Sequence, residues 1–321
     1  MKPLSRILAQ PAAQSSRRWR IAALVAVLTL AVETLHGQKP ARPLGRANFR
    51  SDSTLVLVPM TVTDRHHRLV TGLPANAFRV FEDRSPKEEY KLSEEDTPAS
   101  IGIVFDISGS MKGPLNYAKA ALHTLVETAN PQDEGFLYTV SDRPDSNSQF
   151  TNDLDGLATG VVFDEAKGNT ALIDGVYAAL NHMRSGKNKR RALIVISDGM
   201  DNHSRYTRHE LMMQALETDA QIFCISVYDP PGYAKPFTLL EQRQGLDLLD
   251  DLSGATGGVH LVVSNSSDTG RSMDTVGRAI RNQYLISYVS AHSEPGKWHT
   301  IQVKSLLPGL TVHARSGYRA E

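Results

Sequence analysis

The middle of the chain, residues 98 to 282, alternates short apolar runs with amphipathic segments, and this alternation restricts the fold more than any other feature. Strands covered on both faces are continuous apolar runs, whereas helices repeat apolar residues every three or four positions. The pattern predicts an α/β fold, a doubly wound and mostly parallel sheet whose ligand sites lie at the carboxyl ends of its strands. Strands are predicted at 101–106, 135–141, 192–198, 220–228 and 258–263, with a short edge strand at 148–152, and helices at 115–129, 172–184, 208–218, 239–252 and 269–282.

Both flanks of this region have β-like patterns instead. Short alternating segments occur at 55–63 and 78–83, and again at 283–290, 298–304 and 310–314. Because neither flank is large enough to bury a core alone, we expect the two to form one small β-domain beside the sheet. The predicted organisation is a signal at 1–37, a linker at 38–53, a β region at 54–97, the α/β domain at 98–282 and the closing strands at 283–321.

The amino terminus has the pattern of an export signal. Basic residues, among them Arg17, Arg18 and Arg20, precede the apolar run 21–32. Twelve residues are fewer than the roughly 20 that span a bilayer, which favours a cleaved signal peptide. An uncleaved signal anchor through 21–32 is the alternative. We expect an exported protein that is periplasmic, envelope-associated or secreted.

Composition excludes some functional classes. Lys+Arg and Asp+Glu both count 35, so the formal net charge is zero and the chain lacks the basic field of a dedicated nucleic-acid-binding protein. The single cysteine, Cys224, lies in an apolar strand run, where a free cysteine behaves as a small hydrophobic residue. The sequence therefore predicts no intramolecular disulfide.

Oxygen-bearing side chains occur in three segments next to predicted strand or helix ends. Asp106, Ser108 and Ser110 follow the first central strand, Thr170 precedes a helix, and Asp198 closes the strand at 192–198. Carboxylate and hydroxyl oxygens are the ligands that small hard cations bind. Each segment alone also has a structural interpretation, since Asp and Ser cap helices and Asp-Gly marks turns. Together, the segments predict a metal site at the carboxyl edge of the sheet, with a metal-free structural role as the alternative.

These segments resemble the metal-ion-dependent adhesion site of von Willebrand factor type A domains, and the resemblance covers residues 98 to 282. It implies that Ser108, Ser110 and Thr170 bind a cation directly, while Asp106 and Asp198 bind it directly or through water. It also implies a Rossmann-like fold. The flanks, including Val62-Thr63-Asp64 and Ser316-Gly317-Tyr318, are similar to the exported type-A-related proteins abundant in Acidobacteria.

The expected cation is Mg²⁺, with Mn²⁺ and Ca²⁺ as alternatives. Neutral hydroxyl ligands do not cancel its charge, so we expect it to attract an Asp or Glu carboxylate from a protein partner in adhesion or envelope assembly. The alternative is a Mg²⁺-dependent hydrolase with Asp106 as nucleophile. The chain lacks a Gly-x-Ser-x-Gly elbow and a phosphate loop, which favours a non-enzymatic protein.

Three further segments contain residues that occur in metal or charged-ligand sites. His209-Glu210 lacks the second histidine of a zinc-protease helix, and His66-His67 has no acidic or cysteine partner at metal-ligand spacing, so both are interpreted as structural. The basic run at 187–191 is interpreted as a solvated loop, with contact to an acidic partner or lipid headgroups as the alternative. The sequence predicts no oligomeric state.

Overall fold

The computed structural model describes residues 54–146, 149–228, 236–263, 266–290 and 295–320. The predicted signal and linker lie outside these residues. None of the described helices is long and apolar enough to cross a membrane.

In chain order, the described strands are β1 (Thr54–Asp64), β2 (Phe78–Glu82), β3 (Ser85–Lys87), β4 (Lys91–Glu95), β5 (Ala99–Asp106), β6 (Glu134–Val140), β7 (Pro144–Ser146), β8 (Arg190–Ser197), β9 (Gln221–Val227), β10 (His260–Val263), β11 (Gln283–Ser290), β12 (Trp298–Ser305), β13 (Leu310–Ala314) and β14 (Gly317–Arg319). The described α-helices are α1 (Leu115–Glu127), α2 (Leu154–Gly160), α3 (Leu172–Met183), α4 (Arg208–Glu217), α5 (Pro236–Thr256) and α6 (Ser266–Arg281).

The central sheet contains, within the described residues, six strands in the order β10-β9-β8-β5-β6-β7. All neighbours are parallel except β7, which runs antiparallel to β6. Successive residues of β5 point to opposite faces, so Ile103 packs among α1, α2 and α6, whereas Val104 packs among α3, α4 and α5. The predicted doubly wound, mostly parallel α/β sheet is therefore confirmed.

The two flanks of the chain form two further antiparallel sheets. In the described part of the chain these have the orders β13-β1-β11-β4 and β14-β12-β2-β3. Their apolar faces enclose one core, to which Met60, Phe78, Ile286 and Val303 contribute, and these two sheets are called the sandwich below. Strands from both ends pair directly, since β1 lies between β11 and β13. The predicted small flanking β-domain built from both chain ends is confirmed.

Several elements differ from the sequence predictions. The edge strand is Pro144–Ser146, not 148–152, because the chain reverses directly after β6; Thr151 makes only an isolated bridge to Gly135. Helix α2 was not predicted, and α5 is longer than the predicted 239–252. Cys224 is fully buried in β9, and burial raises the pKa of its thiol, as expected for a core cysteine.

Candidate metal centre

The first segment, which contains Asp106, Ser108 and Ser110, forms a tight turn around the Asp106 carboxylate. Asp106 is the last residue of β5, and its Oδ1 accepts a hydrogen bond of 2.8 Å from the backbone N–H of Ser108. The hydroxyl oxygens of Ser108 and Ser110 lie 3.1 Å apart. This tight turn therefore presents one carboxylate and two hydroxyls together, as the sequence predicted.

The third segment reaches the same place because β8 is the parallel neighbour of β5. The hydroxyl of Ser197, the last residue of β8, donates to Asp106 Oδ2 at 2.5 Å. The next residue, Asp198, accepts a hydrogen bond from the side chain of Ser110 and another, at 3.0 Å, from the N–H of Met200. Two carboxylates from adjacent strand ends are thus joined through serine hydroxyls.

The second segment is bound to both of the others through its backbone. The N–H of Gly109 donates to the carbonyl oxygen of Gly168 at 3.0 Å, which joins the first turn to the loop before Thr170. Thr170 donates its own N–H to Asn202 Oδ1 at 2.9 Å and accepts from the N–H of Asn202 at 3.0 Å. Thr170 is buried and held between the loops that carry the two aspartates. The structure therefore places all five predicted residues at one edge of the sheet.

The loop after Asp198 is also fixed to the helix that follows Thr170. Asp201 Oδ2 accepts from the N–H of Ile173, in the first turn of α3, at 2.8 Å. In return, Asp174 Oδ1 accepts from the backbone N–H groups of Arg205 and Tyr206 at 2.9 and 3.0 Å. These bonds satisfy donors that a helix start and a loop would otherwise leave unpaired. The second and third segments therefore behave as one rigid unit.

The two carboxylates at this edge are buried beside each other. Asp106 and Asp198 are both buried, and in the described ranges no lysine, arginine or histidine forms an ion pair with either. Burial, together with the nearby charge of Asp198, raises the pKa of Asp106 to about 7, against the opposing hydrogen bonds from Ser108 and Ser197. Burial likewise raises the pKa of Asp198. Within the described residues, no basic side chain therefore offsets the charge of this pair.

The donor set fits a hard cation. Two carboxylates and the Ser108 and Ser110 hydroxyls meet here beside the loop that carries Thr170, whereas no three His, Cys, Asp or Glu side chains converge anywhere in the described residues. Zinc-type sites need such nitrogen or sulfur ligands, while Mg²⁺ binds oxygen. Ser108, Ser110 and Thr170, with Asp106 and Asp198, would hold Mg²⁺ more readily than a soft metal.

Two contacts that position Asp198 were not found from the sequence. The Tyr228 hydroxyl donates to the carbonyl oxygen of Asp198 at 2.6 Å. Gly199, with φ of +79°, packs against Gly245 of α5 so closely that a Cβ on Gly245 would lie 2.6 Å from the Gly199 carbonyl carbon. Asp-Gly at 198–199 carried a turn signal. A glycine within a helix carries no such signal, because its partner is 46 residues away in the sequence.

Residues 101–200 match the family model of the von Willebrand factor type A domain, a range that contains all five residues of the candidate site. The comparison with curated proteins found no match. Similar solved structures include an aerotolerance-related membrane protein from Bacteroides fragilis, with 16% identity over 57% of this chain and 98% of that chain and a TM-score of 0.46.

Two other similar structures extend over more of the chain. A von Willebrand factor type A protein from Catenulispora acidiphila has 12% identity, covering 85% of this chain and 75% of that chain, with a TM-score of 0.47. The pilus adhesin SpaC from Lactobacillus rhamnosus has 8% identity, covering 81% of this chain and 47% of that chain, also with a TM-score of 0.47.

Proposed function

We propose, from the premise that this chain contains a von Willebrand factor type A domain, that it is an exported, Mg²⁺-dependent protein-binding module. Ser108, Ser110 and Thr170 are proposed to bind the ion directly, and Asp106 and Asp198 to bind it directly or through water. One observation carries this proposal. The hydrogen bonds between the three loops hold two buried carboxylates, the Ser108 and Ser110 hydroxyls and the backbone of Thr170 at one edge, where no basic side chain of the described residues pairs with the carboxylates.

The proposed partner is a protein that offers an Asp or Glu carboxylate. When bound, the cation supplies an electrophilic position that an incoming anion can occupy. Three of the five proposed ligands are neutral hydroxyls, so they leave much of the ionic charge uncancelled. Hydrogen bonds between the second and third segments hold the backbone of Thr170, one of these proposed ligands, against the loop after Asp198.

The buried state of Asp106 supports binding over hydrolysis. Its Oδ1 accepts from the Ser108 N–H, its Oδ2 accepts from the Ser197 hydroxyl, and its side chain is inaccessible to solvent. A nucleophilic carboxylate needs a free oxygen within reach of the reacting atom. We therefore propose a non-enzymatic role in adhesion or as an envelope scaffold, with export through the basic and apolar segments of residues 1–37.

Calorimetry with Mg²⁺ and Mn²⁺ on the protein without residues 1–37 tests the metal site. Wild type is expected to bind one ion, and an Asp106→Ala/Asp198→Ala variant to bind none. The matched control is Asp145→Ala/Asp274→Ala, which also removes two carboxylates but from exposed positions outside the site. Equal binding by wild type and the site variant would refute the proposal.

Capture from an envelope extract tests the partner. Immobilised wild type should retain a protein with Mg²⁺ and release it in chelator, and the Asp106→Ala/Asp198→Ala variant should retain none. Hydrolysis of generic phosphate esters is measured in parallel. Turnover that requires Mg²⁺ and disappears in Asp106→Asn would establish the hydrolase instead.

A further inference from the structure

A large cleft lies on the opposite edge of the central sheet from the candidate metal centre. It has a volume of about 700 Å³ and is bordered by Arg190 and Gln221, the first residues of β8 and β9. The other wall is formed by residues of β1 and β11, which lie in one sheet of the sandwich. Clefts of this size accommodate small molecules or short peptide segments. Because the metal centre lies at the carboxyl ends of the strands, this cleft is a separate place on the protein.

One border of the cleft is an incomplete strand pairing. β11 pairs with β1 over residues 54–60, but β13 pairs with β1 only over residues 60–64. After Ala314 the chain leaves β1, because Arg315 bridges to Thr256 and the Ser316 N–H donates to Ala255. Within the described residues, the edge of β1 at 54–59 therefore has no strand beside it. Pro59, which lacks a backbone N–H, is compatible with such an edge.

The exposed side chains on this stretch of β1 are apolar, whereas the solvent-facing side of a strand is usually polar. Leu55 and Leu57, which project from one face of β1, are 62% and 48% exposed, and both line the cleft. Leu285 of β11 lines it beside them. An unpaired, apolar edge is a site to which a further strand can add. The length of the open edge, about 20 Å for residues 54–59, suits a short extended segment.

The remaining wall is basic. Lys189, Arg191 and Arg315 line the cleft against a single acidic residue, Asp219, which pairs with Arg315 at 2.8 Å. Neither Lys189 nor Arg191 forms an ion pair in the described part of the chain, and the Arg191 Nε is buried without a hydrogen-bond partner there. Arg190, by contrast, donates to the last carbonyl groups of α6. Within the described ranges, the cleft thus has basic side chains without an acidic partner beside an open strand edge.

We propose that this cleft binds an extended acidic peptide segment of a partner protein. The segment adds as a strand to β1 at 54–59, so its backbone hydrogen bonds pair the open edge. Its apolar side chains contact Leu55 and Leu57, and its acidic side chains approach Lys189 and Arg191. This site needs neither the metal nor the partner carboxylate of the proposed function.

The test uses the protein without residues 1–37 in chelator, so that the metal centre does not contribute. The probe is fluorescently labelled acetyl-Val-Glu-Val-Glu-Val-Glu-amide, and binding is measured by fluorescence anisotropy. Wild type should bind this peptide, and the affinity of Lys189→Glu/Arg191→Glu for it should be lower by about tenfold or more. The matched control is Arg79→Glu/Lys304→Glu, which reverses two exposed basic residues paired across β2 and β12 and should bind like wild type.

Two peptides probe the wild type without any substitution. The lysine peptide acetyl-Val-Lys-Val-Lys-Val-Lys-amide tests charge, and a backbone N-methylated form of the glutamate peptide tests strand addition; both should bind about tenfold more weakly. Equal affinity for the N-methylated peptide, or an unchanged affinity in Lys189→Glu/Arg191→Glu, overturns the proposal. It is also overturned if phosphatidylglycerol vesicles bind through Lys189 and Arg191 while the glutamate peptide does not bind.

Discussion

The sandwich core and the carboxyl edge of the central sheet both bury carboxylates, but they balance the charge differently. In the sandwich, Glu82 is buried and its carboxylate lies 2.5 Å from Lys87 Nζ. It also accepts hydrogen bonds from the Tyr318 hydroxyl at 2.7 Å and the Ser290 hydroxyl at 3.0 Å. Burial acts to raise the pKa of Glu82, but the hydrogen bonds and charge of these partners outweigh it and lower that pKa.

At the carboxyl edge of the central sheet, the pKa values of Asp106 and Asp198 are raised instead. Their partners are serine hydroxyls and backbone N–H groups, which carry no formal charge. The same burial is thus balanced by a lysine in one region, whereas no charged side chain of the described residues pairs with the carboxylates in the other. This difference separates a carboxylate that stabilises a core from carboxylates that are suited to a ligand.

Removing the lysine of the sandwich should produce the largest effect. Lys87→Met leaves Glu82 buried without its counter-charge, which is expected to lower the free energy of unfolding by about 3 kcal/mol. Urea denaturation measures this loss. Lys91→Met, at an exposed position of β4, is the control and should change stability by less than about 0.5 kcal/mol. A small loss in Lys87→Met would mean that the tyrosine and serine hydroxyls suffice.

Binding of Mg²⁺ at the candidate metal centre is expected to raise the free energy of unfolding, by slightly less than Lys87→Met lowers it. At a free Mg²⁺ concentration about 100 times Kd, binding adds about 2.7 kcal/mol to the free energy of unfolding. Asp106→Asn/Asp198→Asn should show no such gain. Because Lys87 is in a different core, Lys87→Met should gain as much from Mg²⁺ as wild type does. A gain that survives in the double variant would contradict the comparison.

A half-buried histidine of the sandwich, His313, extends the comparison to the pH dependence of stability. Burial, with a contribution from His67 and against one from Asp250, lowers the pKa of His313 to about 4, and His313 Nε2 lies 3.0 Å from the Thr63 hydroxyl. The unfolded chain binds this proton near pH 6.5, whereas the folded protein does not bind it until about pH 4. Stability contributed by neutral His313 is therefore lost as pH falls from 6.5 towards 4.

We expect His313→Gln to flatten the pH dependence of unfolding by about 1.5 kcal/mol between pH 7 and 5, measured by urea denaturation in chelator. His123→Gln, at an exposed position of α1, is the control and should leave the pH dependence as in wild type. A wild-type slope in His313→Gln would show that folding does not change the pKa of this histidine.

The smallest expected effect concerns the packing that positions Asp198. Gly245→Ala places a Cβ against the backbone of Gly199, so we expect Mg²⁺ to bind about tenfold more weakly, equivalent to about 1.4 kcal/mol, by calorimetry. Gly254→Ala is the control in the same helix, because a Cβ there meets no atom within 4 Å. It should leave Mg²⁺ affinity unchanged and add about 0.5–1 kcal/mol of stability. Equal affinities in the two variants would exclude a role for the glycine contact.

Much of the fold could be predicted because apolar runs such as 101–106 and 192–198 have the length and composition of strands buried on both faces. The edge strand at 144–146 could not, since Pro144 and Asp145 carry no strand signal and the strand exists only through its pairing with β6. The candidate site residues could be found because each follows a strand or precedes a helix. The contact between Gly199 and Gly245 could not, because it depends on where α5 packs.

The sequence by itself determined the strand and helix pattern and the residues that offer oxygen ligands, because periodicity and residue chemistry are local properties. The tertiary structure alone decided that β8 lies beside β5, so that Ser197 reaches Asp106. It also decided that β13 ends opposite Met60 and leaves β1 open beside the basic run at 187–191. Contacts between residues far apart in the chain follow from packing, which no local pattern records.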